Sequence, residues 1–71
     1  MARLLSMDYS TKWALFSIES AAELEQLPTT TSTGSLPNFD DTITPMSIAV
    51  VSDGSYTTYC LDESDNWNAE T

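Results

Sequence analysis

Hydrophobic and polar residues alternate along parts of this chain, and the alternation predicts β-strands. The stretch from Thr11 to Glu19 is rich in aromatic and β-branched residues, which favour a strand. Successive side chains of a strand point to opposite sides, so this one has two faces. One face carries Trp13, Leu15 and Ser17, and the other carries Ala14, Phe16 and Ile18. Both faces are apolar, and we expect the following helix to cover one and a partner to cover the other.

A short helix is predicted over Ser20 to Leu27. Ser20 and Glu23 have the spacing of a capping box, in which the serine side chain accepts the Glu23 amide and the glutamate reaches back to the Ser20 amide. Leu24 and Leu27 are three residues apart and share one face of the helix. Pro28 ends the helix, because it lacks an amide hydrogen and disfavours helical geometry in the preceding residue.

The carboxyl-terminal part of the chain predicts a three-stranded antiparallel meander. Met46 to Asp53 alternates in period two, and Asp53-Gly54 is typical of a hairpin turn. Ser55 to Asp62 returns as the second strand, and after a polar turn Trp67 anchors a short third strand. The expected fold is therefore mainly β (α+β): a small antiparallel sheet with one short helix.

Two segments show no period. Residues 1–9 are predicted to be an N-terminal arm, and residues 28–45 an extended Thr/Ser-rich loop. A loop of that length is unusual in a compact domain, so it is either functional or ordered on binding. Residues 10–27 hold the strand and short helix, and residues 46–70 hold the meander. We expect residues 1–71 to form a single domain.

The length of the chain limits its stability. A chain of 71 residues buries only about 60% of its unfolded surface, and small domains commonly add disulfides, a structural metal or a partner surface. Cys60 is the only cysteine and there is no histidine, which excludes an internal disulfide and an ordinary Cys/His zinc site. A partner surface remains.

The charge of the chain restricts the kind of partner. Two basic and eleven acidic residues give a formal net charge of −9. Such a chain repels phosphate backbones and anionic membrane surfaces, so we expect neither a nucleic-acid nor a membrane partner. No apolar run approaches the roughly 18 residues of a membrane span. The apolar run in residues 1–7 is too short for a signal peptide, and we expect the protein to mature in a cytosol.

Candidate chemistry is sparse. Without histidine there is no ordinary serine or cysteine dyad. The pairs Asp40/Asp41 and Asp62/Glu63 have the groups for acid and base roles, but a domain of this size lacks a roomy pocket. We therefore predict no enzymatic activity, no catalytic residues and no cofactor. Cys60, in mid-strand among apolar neighbours, is predicted to be buried and unreactive.

The acidic turn at residues 62–66 carries oxygen ligands of the kind that calcium prefers. It lacks the spacing and the glycine of an EF-hand loop, so it is predicted to be a solvated turn, and no metal site is expected.

Seven residues are candidates for partner binding, because they are apolar or aromatic and lie in or beside the aperiodic segments. They are Leu4, Leu5, Met7, Trp13, Leu36, Phe39 and Ile43. We expect the arm and the loop to be more ordered in an assembly than in the free chain, since burial of each side chain contributes about 1.5–3 kcal/mol.

The order of segments over residues 13–68 resembles that of small virion structural proteins of tailed bacteriophages and prophages, such as capsid decoration or head-fibre base proteins. It begins Trp-Ala-Leu-Phe-Ser-Ile-Glu-Ser, Ala-Glu-Leu-Glu-Gln-Leu-Pro-Thr-Thr-Thr and a Thr/Gly/Ser-rich loop. It continues with a proline, Met-Ser-Ile-Ala-Val-Val, a short turn, a Tyr-x-Leu strand and Asn-Trp. Thr57-Thr58-Tyr59-Cys60 departs from the apolar run typical of that position.

The resemblance implies a non-enzymatic virion protein, assembled in the bacterial host cytoplasm. Its partners would be the major capsid protein or other virion proteins, and it would be a homo-oligomer or present in many copies. An alternative from another class is a small acidic DNA mimic or inhibitor that blocks a host nuclease or regulator. That alternative requires carboxylates aligned on one surface, as phosphates are on DNA, and the neutral Thr/Ser loop argues against it. A domain of a toxin–antitoxin or host-takeover complex is a third possibility.

Overall fold

The computed structural model describes residues 2–52 and 57–70. These residues form one five-stranded sheet, in the spatial order β1-β2-β3-β4-β5, and one short 3₁₀-helix. The elements are β1 (Arg3–Asp8), β2 (Trp13–Ile18), the 3₁₀-helix (Ala21–Gln26), β3 (Ile48–Val51), β4 (Thr58–Leu61) and β5 (Trp67–Glu70). The prediction of a mainly β fold with one short helix is confirmed. The predicted Asp53-Gly54 turn lies outside the described residues.

The sheet is mixed. β3, β4 and β5 form the predicted antiparallel meander, and β1 is antiparallel to β2. β2 and β3 run parallel, with Leu15 opposite Ile48, which the sequence analysis did not predict. Parallel neighbours need a crossover connection that returns the chain to the starting end of the sheet. Residues 19–47 make this connection and hold both the 3₁₀-helix and the Thr/Ser-rich loop.

One face of the sheet, here called the core face, packs against this crossover. Every second residue of β2 is fully buried there, and the neighbouring strands contribute to the same face by register. The buried residues of the core face are Ala14, Phe16, Ile18, Ala49 and Leu61. The predicted division of β2 into two faces is therefore correct.

The loop of residues 28–45 covers the core face. This corrects the expectation that its apolar residues bind a partner. Leu36 and Ile43 are only 7% and 2% exposed. The ring of Phe39 packs edge-on against Phe16, with ring centroids 5.9 Å apart. The 3₁₀-helix is too short to cover five strands, so burial of the core face requires apolar residues from the loop.

The predicted N-terminal arm is also corrected, because Arg3–Asp8 is the edge strand β1. Its register against β2 shifts between Leu4 and Ser6, so Leu5 is an extra residue, as in a β-bulge. Leu4 and Met7 consequently both pack against the core although they are an odd number of residues apart. Because the bulge adds one residue, the hydrophobic pattern of residues 3–8 does not have the period of two by which strands are predicted.

The predicted helix forms, but the serine half of the predicted capping box does not. Ser20 makes no side-chain cap, and the Glu23 carboxylate accepts the backbone N–H of Glu19 at 2.9 Å. That hydrogen bond lowers the pKa of Glu23. The last backbone bond of the helix joins the Leu27 amide to the Leu24 carbonyl at 3.2 Å, and Leu27 is buried.

Candidate interaction surface

The second face of the sheet, here called the open face, is not covered by any segment in the described part of the chain. Its apolar residues are Trp13, Leu15, Ile48, Val50 and Cys60, and the hydroxyl residues Ser17 and Thr58 lie on the same face beside Val50. All five apolar residues are partly exposed, in contrast to the fully buried residues that alternate with them. Alternation alone produces this surface, because each buried residue of a strand places its neighbours on the opposite side. The result is an apolar patch across three adjacent strands.

The strand registers arrange the open face in rows. One row runs from Leu15 through Ile48 to Cys60 and contains no ionisable group except the cysteine thiol. The next row begins with Arg3 on β1, passes through Val50 and ends with Glu70 on β5. Charged groups in this row therefore lie at the two edges of the sheet. An uncharged centre with charges at the rim is typical of protein interfaces.

Trp13 is held at one end of the open face by its polar atom. Its indole Nε1–H donates to the Met46 carbonyl at 2.9 Å, which leaves the ring as apolar surface. Met46 has a φ of 76° and a side chain that is 69% exposed. Its amide donates to the Leu61 carbonyl at 2.8 Å, so hydrogen bonds on both sides fix the left-handed backbone. Such strained positions are concentrated at functional sites.

A shallow concavity of about 270 Å³ lies at the β4 side of this patch. Its lining is mostly apolar and includes Met46, Ile48 and Cys60, together with Glu70. This shape suits a protruding apolar side chain of a binding partner better than a small polar substrate.

Cys60 is half-buried on the open face, whereas the sequence analysis predicted a buried residue. Partial burial raises the pKa of its thiol, and the carboxylates of Glu70 and Asp62 raise it further. A thiol with a raised pKa is a poor nucleophile at neutral pH. Cys60 therefore contributes apolar surface rather than reactivity.

The acidic turn between β4 and β5 uses its carboxylates as internal acceptors. Asp62 accepts the backbone N–H groups of Ser64 and Asn66, both at 2.9 Å. Asp65, on the same turn, accepts the Thr30 backbone N–H at 3.1 Å and the Thr30 hydroxyl. These bonds lower the pKa of both aspartates. Among residues 2–52 and 57–70, no group of three or more potential ligands is placed to hold a metal ion.

The two carboxylates of Asp40 and Asp41 lie in different environments. Asp41 forms an ion pair with Lys12 at 3.1 Å and accepts the Thr42 amide, while Asp40 is exposed. The hydrogen bond from Lys12 is the main cause of the lowered pKa of Asp41. Both groups of the pair with Lys12 face solvent, so this ion pair contributes little to stability.

The structure separates the seven residues predicted to bind a partner. Leu36, Phe39 and Ile43 lie on the core side, where Leu4 and Met7 also pack. Trp13 lies on the open face, and Leu5 is 46% exposed at the β1 bulge. The seven therefore do not form one surface. Of this set, Leu5 is the most exposed, and Trp13 is the one that lies on the open face.

The sequence alone did not identify Leu15, Ile48 or Val50 as binding residues. Their signal was present in the two apolar faces predicted for β2 and in the alternation of β3. Only the sheet register shows that they lie side by side.

Comparisons of the chain with protein-family models, with curated proteins and with solved structures found no match. Within the part of the chain that the structure describes, no helix has the length and apolar character needed to cross a membrane. The class that fold and surface define is a small mainly β protein with one uncovered apolar sheet face.

Proposed function

We propose that this chain is a non-enzymatic structural protein of a bacteriophage virion. It binds the capsid or a neighbouring virion protein lattice as a decoration, stabilising or fibre-attachment component. The observation that carries the proposal is the open face, whose apolar residues lie uncovered across three strands. Contiguous apolar surface that the chain itself does not bury is typical of sites of protein interaction.

The composition of the open face supports a protein partner. Leu15, Ile48 and Val50 present aliphatic surface, and burial of such a side chain contributes about 1.5–3 kcal/mol before the costs of association. Trp13 at the end of the patch is the residue type most enriched among interface anchors. A domain of 71 residues has a small core, so covering this face also stabilises its fold.

The resemblance of residues 13–68 to virion proteins of tailed phages indicates which kind of protein the partner is. The net charge of −9 agrees with such a role, because like-charged copies stay soluble at the high concentrations needed for assembly. The state of the acidic and thiol side chains agrees with a non-enzymatic role. Asp62 and Asp65 are engaged as internal hydrogen-bond acceptors, and the Cys60 thiol has a raised pKa.

Mass spectrometry of phage particles purified from a strain that encodes this chain tests the proposal. We expect the chain at a constant ratio to the major capsid protein across density-gradient fractions. An abundant host protein of similar mass measures contamination in the same fractions. Absence of the chain from particles would refute the virion role. Inhibition of a host nuclease by the purified chain, together with that absence, would favour the DNA-mimic alternative.

A further inference from the structure

The outer side of β1 is a free strand edge. β1 pairs with β2 on one side, and no other described strand lies beyond it. A free edge presents backbone N–H and C=O groups to which another strand can add. With six residues, β1 is longer than the four-residue edge strand β5 at the other side of the sheet.

The side chains of β1 lie on the two faces of the sheet in an order that is the same from either end of the strand. Arg3 and Asp8, at the two ends, lie on the open face of the sheet, opposite Ser17 and Trp13 respectively. Leu4 and Met7, the next residues inward, both pack against the core. The bulge makes this symmetry possible, since without the extra residue the two halves of the strand would have opposite orientations.

We propose that β1 pairs antiparallel with β1 of a second copy of this chain, which joins two five-stranded sheets into one. In this alignment Arg3 lies opposite Asp8 of the second copy, and Leu4 lies opposite Met7 of the second copy. The twofold symmetry of the pair repeats each contact. The Arg3–Asp8 pairs then lie on the open face, and the Leu4–Met7 pairs lie on the core face. Each arginine lies opposite an aspartate of the other copy.

Charge complementarity identifies the second copy as the occupant. Arg3 is exposed and makes no ion pair within residues 2–52 and 57–70. Asp8 is exposed and accepts bonds from the Ser10 amide and hydroxyl at 3.0 and 2.7 Å through one carboxylate oxygen. A carboxylate accepts further donors, so the second copy's arginine can bind there as well. Repulsion between the two acidic copies is screened over about 8 Å at physiological ionic strength.

A groove at the β1 edge gives the pairing an apolar component. The groove has a volume of about 410 Å³ and lies between the start of β1 and the crossover loop. Its lining consists of Ala2, Arg3, Leu4, Leu36, Pro37, Asn38 and Phe39. A residue directly opposite Leu4 on an added strand has its Cβ about 4.5–5.5 Å from that of Leu4. Met7 of the second copy occupies this position, and its unbranched side chain suits an irregular groove.

The bulge also gives the edge selectivity. Bulges discourage pairing with unrelated strands because they bend the edge and interrupt its hydrogen-bond spacing. A second β1 carries the same offset at the same distance from the twofold axis. The inference goes beyond the proposed virion role and does not depend on it.

Sedimentation velocity of the whole chain, over the micromolar range and at physiological salt, tests the pairing. We expect a dimer for the unmodified chain. Arg3→Glu and Asp8→Arg should each raise the dimer Kd at least about tenfold, because like charges directly opposite each other are destabilising and occur twice. An equimolar mixture of the two variants should recover dimers, since position 3 of one copy then complements position 8 of the other.

Lys12→Glu is the matched control, because it makes the same change of charge in the turn outside β1 and should leave the dimer intact. Circular dichroism verifies that each variant is folded. If Asp8→Arg does not fold, Arg3→Glu alone decides the test, since Arg3 has no ion pair in its own described chain. A chain that stays monomeric overturns the inference. A dimer that Arg3→Glu leaves unchanged overturns it equally. Neither result alters the particle experiment that tests the virion role.

Discussion

The carboxylate of Asp65 accepts the backbone N–H of Thr30 at 3.1 Å, across 35 positions of the chain. The hydroxyls of Thr30 and Thr31 donate to the same carboxylate. The turn between β4 and β5 thereby holds the start of the long crossover loop. Since this loop carries Leu36 and Ile43 into the core, one side chain of the acidic turn helps to position the cover of the sheet.

Asp65→Asn is expected to lower the free energy of unfolding and the urea midpoint, because an amide lacks the second acceptor oxygen and the charge. Asparagine tolerates the left-handed backbone at this position, where φ is 66°, so the change isolates the loop contact. Urea denaturation measures the effect. Glu63→Gln, on the same turn and exposed, is the control and should change stability little. Equal effects of the two substitutions would contradict the anchoring role.

Stability is expected to fall in acid below about pH 3.8. The pKa of Asp65 lies below its usual value of 3.8, mainly because the Thr30 hydroxyl donates to it, and the pKa of Asp62 is lowered by the Asn66 amide. Because the folded pKa is the lower one, this stabilisation is complete above the unfolded pKa and disappears as the pH falls through the folded pKa. Urea midpoints measured from pH 6 to pH 2 follow the loss.

The double variant Asp62→Asn with Asp65→Asn should show a shallower decline in the same titration. It removes two of the groups whose protonation is coupled to unfolding. A decline as steep as that of the unmodified chain would show that other carboxylates control the acid sensitivity.

Ser47→Ala is expected to cost about 1–3 kcal/mol of unfolding free energy. The Ser47 hydroxyl accepts the Ala14 amide at 3.1 Å and donates to the Thr44 carbonyl at 2.8 Å, and the residue is fully buried. Its loss leaves a buried amide of β2 without a partner. Ser52→Ala is the matched control, because Ser52 is an exposed residue whose part-buried hydroxyl donates to the Ile18 carbonyl at 3.2 Å. Thermal unfolding should separate the two variants clearly.

Gly34→Ala is expected to destabilise the fold by about 1 kcal/mol or more. Gly34 has a φ of 69°, and an added Cβ would lie 2.6 Å from the Gln26 carbonyl oxygen and 2.7 Å from the Pro28 nitrogen. Both are backbone atoms, so they move only if the end of the 3₁₀-helix moves. Chemical denaturation of Gly34→Ala and of the neighbouring exposed variant Thr33→Ala provides the comparison. A variant at Gly34 as stable as the control would show that the loop adapts.

Under the proposed virion role, Ile48→Glu is expected to reduce incorporation into virus particles at least about tenfold while the chain stays folded, because it places a charge in the centre of the open face. Thr33→Glu adds the same charge at an exposed loop position and should be incorporated normally. The ratio of tagged chain to major capsid protein, by mass spectrometry, measures incorporation. Normal incorporation of a folded Ile48→Glu variant would show that attachment uses another surface.

The sequence by itself determined the local elements of this protein. Strand alternation depends only on neighbouring residues, so the division of β2 between Phe16 and Leu15, and the meander around Leu61 and Trp67, could be predicted. The short helix ending near Pro28 could be predicted for the same reason. The sequence also predicted part of the open face, as the second apolar face of β2.

Only the tertiary structure decided how these elements combine. The parallel pairing of β2 with β3 and the bond from Thr30 to Asp65 join residues that are far apart in the chain, and no local pattern encodes them. The bulge at Leu5 concealed β1, because it breaks the period on which strand prediction relies. The apolar residues of the loop indicated burial but not what would bury them. The core face of the sheet buries them, because this face needs an apolar cover and the long crossover loop passes over it.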